Sequence, residues 1–273
     1  MLVPSRSLVV LPTALPRRTL LTETVLVLGV SLGASAVWAV LSIIRKLTAE
    51  RPLSAQTTTM NSSVTPEQPW LDLAYQLAGI GLALVPVLLA LHLLTRDAGT
   101  TGSGTLDTGT SASRAIGFDL RRPARDLLHG LGLAAAVGIP GLVFYLVARE
   151  LGVNTTVAAA NLQAVWWTVP VLVLASVQNA VLEEVVMVGY LFTRWAQSGW
   201  STATILVTSA LVRGTYHVYQ GFGGFLGNIV MGLVLGWVYT RTRRVMPLVV
   251  MHALLDIVAF VGYAQLAGRV DWL

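Results

Sequence analysis

The stretch Gln178–Tyr190, QNAVLEEVVMVGY, decides how this chain folds and where its chemistry lies. It carries two adjacent glutamates, Glu183 and Glu184, inside an apolar run over 171–192 that contains no other charged residue. An unpaired carboxylate at the centre of a lipid-spanning helix costs about 2.5–3.5 kcal/mol on insertion scales. Ionisable residues in such a position indicate a functional site, so their partners have to be found elsewhere in the chain.

The composition of the whole chain indicates a membrane protein. Of the 273 residues, 55% are hydrophobic and 11% are charged, and the mean hydropathy is +0.71. A soluble domain carries about 25% charged residues. The net charge of +5 does not predict nucleic-acid binding, because the basic residues lie in loops between apolar runs, where membrane topology explains them. The absence of cysteine excludes disulfides, thiolate nucleophiles and cysteine-ligated metal.

Apolar runs of bilayer-spanning length recur along the chain, so we predict an all-α, polytopic helical bundle with about seven transmembrane helices. The first run is close to 20 residues long, which favours an uncleaved span over a signal peptide. Twelve basic residues in the loops fall on the side of the membrane that holds the N-terminus, and five fall on the other side. Because basic loop residues favour the cytoplasmic side, this predicts a multi-pass plasma-membrane protein with a cytoplasmic N-terminus. The runs lie at about 25–44, 71–95, 127–148, 164–193, 201–219, 223–240 and 246–267.

The same pattern divides the chain into three regions. Residues 1–22, rich in proline and arginine, are expected to be a disordered basic N-terminus. Residues 23–126 form an N-terminal membrane region with two spans and a flexible Gly/Ser/Thr-rich linker at 98–113. Its last part, 118–126, is expected to lie on an anionic membrane surface. Residues 127–267 form the membrane domain that carries the chemistry.

Partners for the two glutamates occur in the following span. Arg213 and His217 are four residues apart, so they lie on one helical face. Arg213 stands in mid-span, where its side chain has difficulty reaching the surface, and it therefore requires a carboxylate. Glu183 and Glu184 point about 100° apart on a helix, so one can pair with the cation while the other faces a cavity.

The last two spans add further polar groups. His252 and Asp256 are again four residues apart, and the acid can orient the imidazole or join it at a reacting oxygen. Asn228 is expected to bond across helices as a structural group. Taken singly, these residues also suit structural roles, namely a buried acid pair, a hydrogen-bonded histidine and a helix-stabilising pair.

As a set, the residues suit hydrolysis. They supply a carboxylate base to deprotonate water, a histidine to assist and a polar pair to stabilise an oxyanion. The sequence lacks both the His-Glu-x-x-His motif of zincins and a Gly-x-Ser-x-Gly nucleophile elbow beside the histidines. Water is therefore the simplest nucleophile.

The order of these motifs resembles the CPBP intramembrane proteases, the CAAX prenyl endopeptidase (Abi-like) type. The resemblance covers about 127–266 and is densest over 178–260. Flanking residues also fit the family, notably Gly189–Phe192 (GYLF), His217–Gly221 (HVYQG) and Pro247–His252 (PLVVMH).

The resemblance implies an intramembrane endopeptidase that acts on membrane-associated or prenylated-like protein substrates. It implies that Glu183, beside Glu184, activates a water together with His217, and that His252 and Asp256 form the oxyanion site. Arg213 and Asn228 are supporting residues. The resemblance leaves open a divalent metal such as zinc, for which Glu183, His217 and His252 would be the ligands.

Two positions depart from the family pattern. The family usually has an arginine four residues after the second glutamate, where this chain has Val188. It usually has a phenylalanine four residues before the histidine, where this chain has Arg213. We therefore hypothesise that Arg213 pairs with Glu184 across the helix interface.

Two other classes of function compete with the protease. Val188 favours a catalytically inactive membrane scaffold or immunity factor of the same fold. Intramembrane glutamate and histidine also serve as relays in ion-coupled transporters, although the sequence shows no inverted repeat.

Straight spans do not bring the motifs to one depth. At a rise of 1.5 Å per residue, Glu183, His217 and His252 lie about 16, 26 and 10 Å from the cytoplasmic ends of their spans. Either the predicted span boundaries are therefore wrong by a turn or two, or the span around Gly214 starts irregularly or tilts strongly.

Overall fold

The computed structural model of the protein describes residues 13–98, 111–267 and 269, and within them the chain is a helical bundle with one short two-stranded sheet. The predicted all-α class is confirmed. The strands β1 (Thr57–Thr59) and β2 (Thr156–Ala158) pair in parallel, with Thr58 opposite Val157. The helices are α1 Arg17–Gly29, α2 Leu32–Leu47, α3 Pro69–Ala83, α4 Val85–Ala98, α5 Ala112–Ala115, α6 Pro123–Glu150, α7 Thr168–Glu183, α8 Leu191–Gln197, α9 Thr202–His217, α10 Phe222–Thr242 and α11 Met246–Leu266.

The described residues contain five helical stretches long and apolar enough to cross a membrane, and a sixth if α1 and α2 count as one span bent by 54°. The predicted number of seven is not confirmed. Helix α9 has 16 residues and therefore rises about 24 Å, which is less than the roughly 30 Å hydrocarbon core. The five stretches are Pro69–Arg96, Pro123–Glu150, Thr168–Gln197, Phe222–Thr242 and Met246–Leu266.

The stretch Thr168–Gln197 lies at the centre of the bundle. More than half of its most apolar window is buried, whereas only 6% of the corresponding window of α6 is. A π-helical segment, Glu184–Tyr190, joins α7 to α8, and every one of its residues is buried. Apolar residues of this segment share one hydrophobic cluster with residues of α1, α2 and α4. The two predicted membrane regions therefore pack around a common core.

The helical irregularity lies elsewhere than predicted. Helix α9 continues regularly through Gly214, where a Cβ atom would come within 2.8 Å of the Phe225 carbonyl oxygen, so glycine permits a close approach to α10. The irregular backbone is instead the π segment after Glu183 and the 3₁₀ turn Val218–Gln220 after α9. Single π turns inside α-helices are frequent at functional sites.

The prediction of disorder is wrong for residues 17–22, because α1 begins at Arg17 and Leu20 is fully buried. Residues 1–12 and most of the predicted linker, 99–110, lie outside the described residues.

Candidate active site

Glu183 and Glu184 occupy the junction between α7 and the π segment. The side chain of Glu184 is completely buried, and that of Glu183 is 11% exposed. Two carboxylates this deep require charged or hydrogen-bonded partners, since burying an unpaired ion in a protein costs about several kcal/mol even after the surroundings have relaxed. The described residues supply them from α9 and α11.

Arg213 of α9 bonds to both glutamates. Its Nη1 donates to Oε2 of Glu183 at 3.1 Å, and its Nη2 donates to Oε1 of Glu184 at 2.7 Å. The hypothesised pairing of Arg213 with Glu184 is therefore present across the helix interface. The expectation that only one acid pairs with the cation is wrong, because the planar guanidinium offers two parallel N–H donors that reach neighbouring carboxylates.

Glu183 has a second donor in Tyr216, whose hydroxyl donates to Oε2 at 2.7 Å. His217 places its Nε2 3.8 Å from the same oxygen. Neither ring nitrogen of His217 has a hydrogen-bond partner among the residues described, and its side chain is 16% exposed. Sequence reasoning missed Tyr216, although its position three residues after Arg213 places it on the same helical face.

Glu184 meets the last span through His252. The Nδ1 atom of His252 lies 2.8 Å from Oε1 of Glu184, and its Nε2 lies 3.8 Å from Oδ1 of Asp256. Asp256 is 20% exposed and accepts a 3.4 Å hydrogen bond from Nδ2 of Asn179. Asn179 was also missed, although it lies four residues before Glu183 and hence on the same face of α7.

Asn228 does not join this network. Its Nδ2 donates to the carbonyl of Gly224 at 2.9 Å, one turn earlier in α10. The expected bond across helices is therefore wrong, because the amide satisfies itself within its own helix.

The site has a fully buried side and an accessible side. Glu184 and Arg213 form the buried side, whereas the accessible side consists of Glu183, His217 and Asp256, whose side chains are partly exposed. In the described structure, the buried Oε2 of Glu184 and both ring nitrogens of His217 lack hydrogen-bond partners. Buried polar atoms are nearly always satisfied by protein or water, so these atoms are the candidates in this site for binding water.

A divalent metal fits these residues poorly. Donor atoms of Glu183, Glu184 and His252 lie within 4.8 Å of one another, a group in which Glu184 replaces the His217 of the predicted ligand set. However, Arg213 already donates to both carboxylates and supplies a positive charge beside them. A cation bound there would face the guanidinium and compete for the same oxygens.

Comparison with known proteins agrees with the family resemblance predicted from the motifs. Residues 165–258, about a third of the chain, match the family model described as type II CAAX prenyl endopeptidase Rce1-like. The predicted resemblance to CPBP intramembrane proteases is confirmed for this segment, which contains both glutamates and the polar pairs of α9 and α11. No curated protein and no solved structure matches the chain.

Proposed function

We propose that this multi-pass membrane protein, similar over 165–258 to the type II CAAX prenyl endopeptidases, hydrolyses peptide bonds of protein substrates within the bilayer. The observation that carries the proposal is the convergence of Arg213, His217 and His252, from α9 and α11, on the carboxylates of Glu183 and Glu184. A carboxylate and an imidazole with partly exposed side chains, 3.8 Å apart, are the groups that water activation needs.

Glu183 is the base in this proposal. Its Oε2 already accepts hydrogen bonds from Arg213 and Tyr216, whereas its Oε1 makes none within the described residues. Oε1 is therefore the atom that accepts a proton from water, and His217 holds the same water from its unpartnered ring. The hydroxide adds to the substrate carbonyl carbon, and the carbonyl oxygen becomes the oxyanion. Glu183 then passes its proton to the leaving amine as the C–N bond breaks.

His252 stabilises the oxyanion. A ring protonated on both nitrogens donates Nδ1–H to Glu184 and presents Nε2–H to the reacting oxygen. Asp256, 3.8 Å from Nε2, and Asn179 keep the ring and its surroundings oriented. Arg213 holds the two carboxylates in place, which supports an active site despite Val188.

The substrates we propose are membrane-associated or prenylated-like proteins, as the resemblance implies. We also propose the plasma membrane as location, with a cytoplasmic N-terminus, on the basis of the basic residues in the loops. The accessible side of the site, at His217 and Asp256, is where the substrate peptide enters.

Hydrolysis in ¹⁸O-labelled water tests this proposal. The purified protein in proteoliposomes is mixed with a library of farnesylated peptides, and the products are analysed by mass spectrometry. We expect one ¹⁸O atom in the new carboxylate, loss of products in Glu183→Gln and His217→Asn, and unchanged rates after chelator treatment or collapse of a proton gradient. Glu150→Gln, a change at an exposed acid, serves as control. Inactivation by chelator with rescue by zinc would contradict the metal-free mechanism.

A further inference from the structure

Lys46, near the C-terminal end of α2, is a buried cation outside the segment that matches the family. It is 7% exposed, and no carboxylate in the described part of the chain lies within ion-pair distance. Its ammonium group donates instead to neutral oxygens, Oγ1 of Thr58 and the backbone carbonyl of Tyr219, the latter at 2.5 Å. Buried charges are normally paired, so an unpaired lysine at this position calls for a reason.

The groups around Lys46 all hold one short segment, the 3₁₀ turn Val218–Gln220. Lys46 binds the carbonyl of Tyr219, and the amide and hydroxyl of Thr155 both donate to the carbonyl of Gln220 at 2.9 Å. Thr58 and Thr155 share a 2.6 Å hydrogen bond, which joins the two contacts. The turn is therefore fixed from α2, β1 and the residue before β2.

This turn follows His217 directly, and Tyr219 also touches the histidine. The rings of His217 and Tyr219 stack with centroids 6.4 Å apart and an interplanar angle of 22°. The Nζ atom of Lys46 lies 6.0 Å from the centroid of the Tyr219 ring, within cation–π range. Because His217 has no hydrogen-bond partner of its own among the described residues, its ring orientation depends on packing, namely on the Tyr216 ring with centroids 4.7 Å apart and on this stack with Tyr219.

We propose that Lys46 is a positioning residue for His217, acting through the carbonyl and ring of Tyr219. The inference rests on the proposed function in that His217 acts on water. It assigns to the N-terminal membrane region a part in positioning the site, in addition to packing. A neutral side chain of similar length would fill the same space but would hold neither the carbonyl nor the ring.

The kinetic test compares Lys46→Met with Lys46→Arg and with Arg45→Met, which removes the neighbouring exposed cation. We expect kcat of Lys46→Met to fall about 10- to 100-fold, the range typical of a displaced catalytic group, with KM little changed. Lys46→Arg should recover part of this loss, and Arg45→Met should resemble the wild type. Equal kcat values in Lys46→Met and the wild type would overturn the proposal.

A second readout does not need proteolysis. The chain has four histidines, so ¹³C-histidine labelling gives four ring signals, and His217→Asn assigns one of them. We expect Lys46→Met to shift and broaden the His217 signal while those of His92 and His129 stay in place. Thr58→Val, which removes an acceptor of Lys46, should have the same effect in smaller degree and replaces Lys46→Met if that variant does not fold. An unshifted His217 signal in a folded variant would overturn the positioning role. Absence of cleavage by the wild type, with the shift present, would count against the proposed function alone.

Discussion

At the residue scale, Arg213 shares its guanidinium between two carboxylates that the sequence places side by side. Each carboxylate keeps a different second partner, Tyr216 for Glu183 and His252 for Glu184. The two acids therefore have one charge partner in common but separate surroundings. In the proposed mechanism, this difference lets Glu183 act on water while Glu184 fixes the imidazole of His252.

Exchange of two positions tests the role of Arg213. Arg213→Phe leaves two buried carboxylates without their guanidinium, and we expect the free energy of unfolding to fall by about 3–5 kcal/mol. Val188→Arg combined with Arg213→Phe restores the charge from the other helix, as in the family pattern, and should recover part of that loss. The measurement is thermal unfolding in detergent. Equal losses in the single and double variants would contradict the exchange.

Tyr216 gives a second prediction at this scale. A hydrogen bond to a charged group stabilises a protein by about 1.5–3 kcal/mol. Tyr216→Phe removes such a bond to Glu183, and we therefore expect it to misplace the carboxylate. If that loss falls on the transition state, kcat/KM decreases by about 10- to 100-fold. The assay is peptide cleavage, with the exposed Tyr75→Phe as control. Unchanged cleavage by a folded Tyr216→Phe would show that the 2.7 Å bond has no part in the reaction.

The residues that the sequence predicts correctly are those whose burial has a large electrostatic cost. Arg213 could be paired with Glu184 in advance because a mid-span cation has few alternatives. Tyr216 and Asn179 carry no charge, so although helical spacing puts them on the faces of Arg213 and Glu183, their burial has no large electrostatic cost that would require a partner. Asn228 was misplaced for a related reason, since an amide can satisfy itself on its own helix as easily as on another.

At the element scale, the junction between α10 and α11 is bound to the first turn of α6 and to the segment before it. Arg244 donates to Asp126 through Nε at 2.9 Å and to Asp119 through Nη2 at 3.1 Å. Gly117, with φ +70°, lies so close to Arg244 that a Cβ atom would be 2.5 Å from its Cα, so only glycine fits. The segment 118–126, expected to lie on a lipid surface, thus turns two of its acids toward the protein.

This junction predicts a dependence of stability on pH. The hydrogen bond from Arg244 lowers the pKa of Asp119 below its ordinary value. A carboxyl with a lowered folded-state pKa contributes stability above its unfolded-state pKa and loses it as the pH falls through the folded-state value. Below about pH 4, the ordinary range of aspartate, the melting temperature of the wild type should therefore fall more steeply than that of Asp119→Asn. The exposed Glu50→Gln is the control, and parallel pH profiles for wild type and Asp119→Asn would contradict the assignment.

Elements were predictable as far as hydropathy determines them. The apolar runs gave most of the long helices, since length and composition suffice for a span. The π segment at Glu184–Tyr190, the 54° bend between α1 and α2 and the early end of α9 were not predictable. These features depend on how the backbone hydrogen-bond register adjusts to tertiary packing, which periodicity does not encode.

At the scale of the whole molecule, the N-terminal helices and the span that carries the two glutamates form one structure. Glu23 of α1 binds Arg96 of α4 and, at 3.1 Å, the fully buried Arg194 of α8. Arg194 also donates to the carbonyl of Leu93 at 2.8 Å. This cluster and the Lys46 contacts tie the N-terminal region to the helix that carries the glutamates and to the turn that follows His217.

Glu23→Gln tests this connection. It removes a carboxylate charge next to a buried guanidinium, and we expect the free energy of unfolding to fall by up to about 3–5 kcal/mol. Thermal unfolding of the full-length protein should show one transition at a lower temperature, because the two regions share a core. The exposed Glu150→Gln should leave the transition in place. Two separate transitions would contradict the common core.

The most direct measurement compares the N-termini of membrane proteins, by mass spectrometry, in cells that contain the wild-type protein, Glu183→Gln or Glu150→Gln at equal abundance. We predict a set of new N-termini in the wild type and in Glu150→Gln that is absent in Glu183→Gln, because Glu183 accepts the proton of the attacking water. Identical profiles in all three strains, under stress as well as ordinary growth, would contradict the protease and favour a scaffold of the same fold.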